Sequence, residues 1–250
     1  MRRLVGASIM PVTFHSYFRI WYILLGKERD GDYYNSGSYC DFGGGAQRNE
    51  TAEACASREF FEETMAMVPL SKNKFLTQET LQKQLENREY LYKCEHVDGD
   101  SLYVTFVVRI EFNPDVQKRF KTMRANLLNA DRTQQLNCTS LRTHPGLRFT
   151  YHNSKKVYTV NRVYLEKQAI QWFSYDHCRD ILRTPCRYHP MCSAFMARLK
   201  EIVKLSMWTV DVKHNLWKNI DTEETGFKIN ICAETSTRRC PLKLKNHQKN

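Results

Sequence analysis

No stretch of this 250-residue chain reaches the eighteen or so apolar residues that a bilayer-spanning helix needs, which excludes a helical membrane protein as a reading. Acid is scarce too: 27 Asp and Glu stand against 38 Lys and Arg, giving a net charge of +11 and a pI near 9.2. Such a balance suits polyanions, because summed charge steers their association. A cysteine framework is also missing. The nine cysteines are an odd number and are scattered, which argues for a reducing cytoplasmic or nuclear setting and against secretion. The opening "MRRLVGASIMPVTF" has two arginines before an apolar run. That run is short for a signal peptide and serves better as a first strand. No internal repeat is visible. What is present is a hydrophobic content of 42%, enough to fill a sizeable core, over a length that fits one large domain with insertions.

Against that basic background, acid gathers in one place. "GGGAQRNETAEACASREFFEET" spans residues 43–64. Asn49 or Thr51 can cap a helix, and alanine and glutamate favour one from Glu50 to Thr64, with no proline or glycine inside. Ala52, Cys55, Ala56, Phe60, Met65 and Met67 recur at roughly helical spacing. Glu59, Glu62 and Glu63 then fall at i, i+3 and i+4, on one face within about a turn. Like charges so placed repel by a few tenths of a kcal/mol per pair. Either a solvated face or a bound divalent metal offsets that. Carboxylate oxygens suit Mg²⁺ or Mn²⁺, and Arg58 stands beside the cluster, able to fix one carboxylate.

These residues resemble the Nudix box, G-x5-E-x7-R-E-U-x-E-E-x-G-U, where U is a bulky aliphatic residue. Gly44, Glu50, Arg58, Glu59, Phe60, Glu62 and Glu63 fall at its spacings. Phe60 replaces the usual aliphatic side chain, Met65 the second glycine and Ala66 the final U. A glycine there normally ends the helix in a left-handed conformation, so Met65 suggests that the helix continues or ends differently. The resemblance implies an α/β/α sandwich around a mixed sheet, with helical insertions, and a phosphoanhydride-cleaving enzyme that uses Mg²⁺ or Mn²⁺. Carried over by position, it implies metal ligation by Glu59, Glu62 and Glu63, with the backbone of a glycine loop at Gly44. It also implies support from Arg58 and Glu50, and catalysis by Glu62 or Glu63.

The rest of the chain reads in keeping with such a fold. Residues 17–30 are rich in β-branched and aromatic side chains and read as a strand. Residues 6–14 read as another, where Pro11 argues for an edge or a bulge. Residues 90–112 read as a hairpin turning at Asp98 and Gly99. Residues 163–174 resemble the late Nudix strand, in which an aromatic-serine pair leads into a short helix. Residues 193–208 form a closing helix with Ser193 as its cap and Phe195, Met196, Leu199, Ile202, Val203 and Leu205 as a core-facing stripe. The domain is expected over 1–220, with insertions near 69–89 and 113–156, followed by a basic, flexible tail over 221–250. In the first insertion, residues 77–91 are rich in helix formers. In the second, residues 113–132 open with Asn113 as a cap and Pro114 at the first helical position. Val116, Phe120, Met123, Leu127 and Leu128 make its apolar face.

Three further clusters carry chemistry. Residues 141–158 interleave Arg142, Arg148, Lys155 and Lys156 with Phe149, Tyr151 and Tyr158. Such a segment either contacts phosphates and stacks a base or is an ordinary solvated loop or hairpin. Cys178, Cys186, His189 and Cys192, with His177 nearby, either hold a zinc ion or are ordinary thiols in a spacing that matches no common finger. Glu166 and Trp172 stand as in the E-I-x-x-I-x-W stretch of RNA-decapping Nudix proteins, a group with viral members, so Glu166 is either a general base outside the box or a surface charge. The box does not name the substrate. Capped RNA is the first choice, with diphosphoinositol polyphosphates or small nucleotides next, and a catalytically silent RNA-binding protein third. No membrane partner is expected.

Overall fold

The structure, a computed structural model, describes residues 2–30, 37–68, 77–136, 138, 141–183, 191–205 and 208. The chain divides into two compact units, Met1–Val210 and Asp211–Asn250, and every described residue belongs to the first. The expected tail lies outside the described residues.

The central strand is β1 (Arg3–His15), buried without interruption from Gly6 to Thr13. Such an unbroken run marks a strand covered on both faces rather than one with a wet side. On one edge, β1 pairs in parallel with β6 (Ser101–Arg109), which pairs antiparallel with β5 (Tyr92–Asp98). On the other edge it meets two partners in turn. Gly6–Ile9 pair with β4 (Phe42–Gly45), and Val12–His15 pair with β2 (Ile20–Glu28). The far side of β2 carries β9 (Lys167–Ser174), while β3 (Tyr39–Cys40) pairs with Gly26 and Lys27. The strands β3 and β4 therefore fill a fork where β1 and β2 diverge.

That fork corrects the reading of Pro11. The strand lies neither at an edge nor on a bulge at the proline; its register shift is between Leu4 and Gly6. Pro11 instead sits in the gap between the last β4 pair, Ile9 with Phe42, and the first β2 pair, Val12 with Ile23. A residue without an N–H is cheapest where that edge has no partner. Other boundaries move less. Residues 16–19 turn rather than extend, so the strand expected over 17–30 begins at Ile20. The β5–β6 hairpin turns at Gly99 and Asp100, one residue later than expected, with Gly99 at φ +56° and Asp98 paired to Ser101.

Helices cover both faces of the mixed sheet, giving an α/β/α sandwich with helical insertions. One face carries α1 (Ala52–Glu63), α2 (Gln78–Glu86) and α3 (Val116–Thr133), which bury Phe60, Leu81, Leu85, Phe120 and Leu127 with Ile9 and Phe106. The other carries α4 (Tyr175–Arg183) and α5 (Ser193–Ile202), which bury Cys178, Phe195, Leu199 and Ile202 with Met10 and Ile23. Each fully buried side chain of this size contributes about 1.5–3 kcal/mol. A separate hairpin, β7 (Leu147–His152) with β8 (Lys155–Val160), stands off the main sheet. Among the described residues no helix is long and apolar enough to cross a membrane.

Helix ends show where local chemistry outweighs pattern. Thr51, rather than Asn49, caps α1, its hydroxyl accepting from the Ala54 N–H at 3.1 Å. In α3 the cap shifts from Asn113 to Asp115, because the Asn113 carboxamide accepts from the Asp115 N–H in a turn ahead of the helix. Leu128 is 40% exposed, so it leaves the expected apolar face. The cap of α5 is Cys192, whose sulfur accepts from the Phe195 N–H, and Ser193 is the first helical residue; the helix stops at Ile202.

The end of α1 keeps glycine geometry without glycine. The helix closes at Glu63, and both Met65 (φ +52°) and Ala66 (φ +55°) are left-handed. The Ala66 N–H donates to the Phe61 carbonyl at 2.9 Å, completing the cap. Left-handed geometry costs roughly 1–2 kcal/mol in a non-glycine residue. Met65 withstands it because its side chain is fully buried. We expect Ala66→Gly to raise the unfolding free energy by about 0.5–1 kcal/mol. Met65→Gly should lower it by about 2–4 kcal/mol, since the lost side chain outweighs the relief. Urea unfolding of the two variants checks both signs.

Candidate active site

Helix α1 carries the cluster, and Arg58 organises it. Its Nε and Nη2 donate to the two Glu50 oxygens at 2.8 and 3.0 Å, and Nη2 also donates to the Gly45 carbonyl at 3.0 Å. Its Nη1 donates to Glu59 at 2.6 Å and lies 3.4 Å from Glu62. The hydrogen bonds from Arg58 hold the Glu50 carboxyl below its ordinary range, against burial. Burial instead raises Glu62, with Arg58 opposing and Glu59 adding to the rise. One guanidinium therefore spans three carboxylates and sets their spacing.

The glycines meet this helix as a strand, not as a loop. Gly44 lies in β4, paired with Ala7, and its carbonyl oxygen is turned toward Gly6 and Cys55. A Cβ at Gly44 would come within 2.6 Å of the Glu59 carboxylate. The glycine therefore admits the carboxylate to the strand, and its carbonyl oxygen lies between β1 and Cys55 of α1.

Glu63 departs from the expected arrangement. It is 3% exposed and points beneath the cluster. One oxygen accepts from the Gly43 N–H at 2.8 Å, and the other pairs with the Lys167 ammonium at 2.9 Å. Lys167 is itself buried, and its Nζ also reaches Glu28 and, at 3.1 Å, the Cys40 sulfur. Sequence reasoning missed this lysine. The cause is a bulge: Lys27 pairs with Ala169 but Glu28 with Lys167, so Gln168 is extra. Strict alternation back from Ile170 would have turned Gln168 to the helix side. Gly26 makes room for the lysine stem, since a Cβ there would meet it at 2.9 Å.

One ammonium thus sits between two carboxylates. Burial works against the charge of Lys167, but Glu63, Cys40 and Glu28 outweigh it and hold its pKa well above the ordinary value. Burial also pushes the Glu63 carboxyl up from 4.5 to about 8, against the pull of Lys167. A carboxyl raised on folding stabilises fully below its unfolded pKa and loses that contribution as pH rises through the folded one. Stability should accordingly fall between about pH 5 and 8, at up to about 1.4 kcal/mol per pH unit for this proton. Glu63→Gln should remove that slope. Urea unfolding of both proteins in chelator across this range tests it; parallel curves would contradict the burial of an ionisable Glu63.

Glu166 follows a 3-10 turn, Arg162–Leu165, and precedes β9. The residue as a whole is exposed, yet partial burial raises the pKa of its carboxyl, and Glu59 and Glu62 add to the rise. The turn that precedes it packs against α1, the helix that carries Glu59 and Glu62. The basic segment does not converge as one patch. In the β7–β8 hairpin, Arg148 and Lys155 fall on one face and Lys156 on the other, while Arg142 precedes the hairpin. As for a zinc site, Cys178 is fully buried with its thiol pushed up to about 12 by burial, His177 stacks on Phe173, and Cys192 caps α5. Cys186 and His189 lie outside the described residues. Among the described residues no group of three or more His, Cys, Asp or Glu is gathered to hold a metal.

No family model and no curated protein matches the chain. Among solved structures it is similar to a Nudix hydrolase from M. smegmatis, RenU, at 12% identity and a TM-score of 0.42, over 84% of this chain and 90% of that one. It is similar to the NUDIX domain of Shewanella oneidensis NrtR in complex with ADP ribose at 10% identity and a TM-score of 0.37, over 82% and 88%. A NUDIX hydrolase from Nitrosomonas europaea gives 10% identity and 0.37, over 82% and 73%. With scores below one half, these likenesses lend the site no residue roles.

Proposed function

We propose that the chain is a Nudix-type hydrolase of phosphoanhydrides that depends on Mg²⁺ or Mn²⁺, and that its substrate is the 5′ cap of RNA. The observation that carries this reading is Arg58, Glu59 and Glu62 on α1, joined to Glu50 just ahead of the helix and set against glycines that let a carboxylate approach the strand. The donor chemistry fits a hard divalent cation, as Glu59 and Glu62 offer carboxylate oxygens at a partly open surface, with side chains 12% and 20% exposed. They would hold the metal, with Glu166 beside them. A bound divalent ion would neutralise non-bridging phosphate oxygens and ease departure of the leaving phosphate.

The chain's own residues do the rest. Arg58 orients Glu59 and Glu62, and Glu50 anchors Arg58. Glu63, expected among the ligands and the catalytic residues, instead ties α1 to the Gly43 N–H and to Lys167. Glu166 accepts a proton from the attacking water. Arg148 and Lys155, which share one face of the β7–β8 hairpin, contact the RNA backbone, while Lys156 on the other face and Arg142 ahead of the hairpin add separate contacts, in a stretch with no acidic residue between Asp131 and Glu166. The basic tail adds non-specific attraction.

Purified protein with Mg²⁺ or Mn²⁺, incubated with cap-labelled RNA, diphosphoinositol phosphates and a nucleotide-sugar panel, tests this. Metal-dependent release of labelled nucleotide from capped RNA supports it. Turnover confined to another member of the panel would keep the hydrolase and replace the substrate.

A further inference from the structure

The β7–β8 hairpin presents a face that the fold does not use. In its register Phe149 stands opposite Tyr158 and Tyr151 opposite Lys156, so these four side chains share one face. That face starts in the core, where Val160 is buried with Leu147 packed against it, and then runs out into solvent. Phe149 is 50% exposed and Tyr151 71%. Rings this exposed contribute little to folding and leave apolar surface in water.

The hairpin is nonetheless held in place. Asn153 and Ser154 take positive φ at the tip, as a tight two-residue turn requires. The Tyr158 N–H donates to the Gln134 carbonyl at the end of α3, and the Val160 N–H to the Asp131 carboxylate at 3.1 Å. Its root leads to the acid-bearing helix. The Asn161 N–H donates to the Gly146 carbonyl at 2.8 Å, Gly146 packs on the Tyr164 ring, and the turn Arg162–Leu165 that holds Tyr164 packs against α1.

Charge and ring chemistry together select an occupant. The Lys156 ammonium lies 3.6 Å from the centre of the Phe149 ring and 5.4 Å from that of Tyr158. Phe149 and Tyr151 stand edge to face, 6.0 Å apart. Exposed rings interleaved with a cation, in an acid-free stretch of a chain with net charge +11, complement a ligand that alternates flat faces with negative charge. We propose that this aromatic face is a stacking platform for unpaired bases of a single-stranded polynucleotide. Lys156 meets its phosphates, and the platform directs the strand toward Glu62 and Glu166. The proposal deepens the reading of an RNA substrate and rests on it for the direction of the strand.

Fluorescence anisotropy of the full chain in chelator, where no turnover occurs, tests it with labelled oligouridylate, oligothymidylate and a duplex of equal length. The double variant Phe149→Ala/Tyr151→Ala removes exposed rings only, and its folding is checked by circular dichroism. It should weaken single-strand binding by about five- to a hundredfold per stacked base, leaving the slope of log K against log salt unchanged. Arg148→Gln/Lys155→Gln should instead lower that slope by roughly 0.7 per lost contact. Loss on both oligomers supports a platform for either strand, and loss on oligouridylate alone supports RNA. Wild-type affinity in the ring variant, or equal loss on the duplex, overturns the proposal. Hydrolysis of the phosphoanhydride panel is read separately, so either reading can fail without the other.

Discussion

Glu62→Gln should reduce metal-dependent turnover by about a thousandfold or more while the fold persists. The amide keeps the size of the side chain but removes the anion that a hard cation requires. Each 1.36 kcal/mol of lost transition-state stabilisation is about tenfold in rate, so a loss near 4 kcal/mol suffices. Stability should hardly change. Glu62 lies at 3.4 Å from Arg58, a weak contact, and burial already disfavours its charge. Glu166→Gln serves as the contrast. A lost general base costs about 10²–10⁴-fold, mainly in kcat with KM little changed, and rising pH partly restores it. Steady-state kinetics on both variants, with circular dichroism as the folding control, separate the two roles. A Glu62→Gln protein with wild-type turnover would remove the metal site from this helix.

Lys167→Met should lower the unfolding free energy by about 3–5 kcal/mol. Removing one member of a buried ionic cluster leaves the others desolvated and unpaired, and that penalty is far larger than the net worth of the intact pair. Here the loss strips the ammonium from Glu28, Glu63 and Cys40 at once. Methionine fills much of the space against Gly26, so cavity formation adds little. Adding Glu63→Gln to Lys167→Met should change stability little further at neutral pH, because a Glu63 carboxyl raised to about 8 is already largely protonated there and rises further without Lys167. Urea unfolding at neutral pH of the single and double variants checks both expectations. Equal stability of Lys167→Met and wild type would mean that the cluster is not desolvated.

What was legible in the sequence was local. The Glu59/Glu62 spacing, the Thr51 cap and the turn at Gly99 each depend on residues a few positions apart, and periodicity or turn chemistry exposes them. The fork that hosts Pro11 was not legible, because it depends on which strands flank β1. Nor was Lys167, whose partners Glu28 and Cys40 are 139 and 127 positions away and which a single extra residue in β9 turns inward. The buried pair of Asp41 and Arg198, 2.6 Å apart and 157 positions apart in sequence, was invisible for the same reason. At Met65 the motif misled. The missing glycine suggested a different helix end, yet Met65, its side chain fully buried, takes the left-handed turn that glycine usually provides.

The most direct test of the account is chromatography of the labelled product from cap-labelled RNA, with Mn²⁺ and with chelator, for wild type and Glu62→Gln side by side. The account predicts a released, labelled capped nucleotide in one lane alone, wild type with metal. Label retained on RNA in that lane, together with no turnover of any phosphoanhydride in the panel, would contradict it. So would equal release by Glu62→Gln.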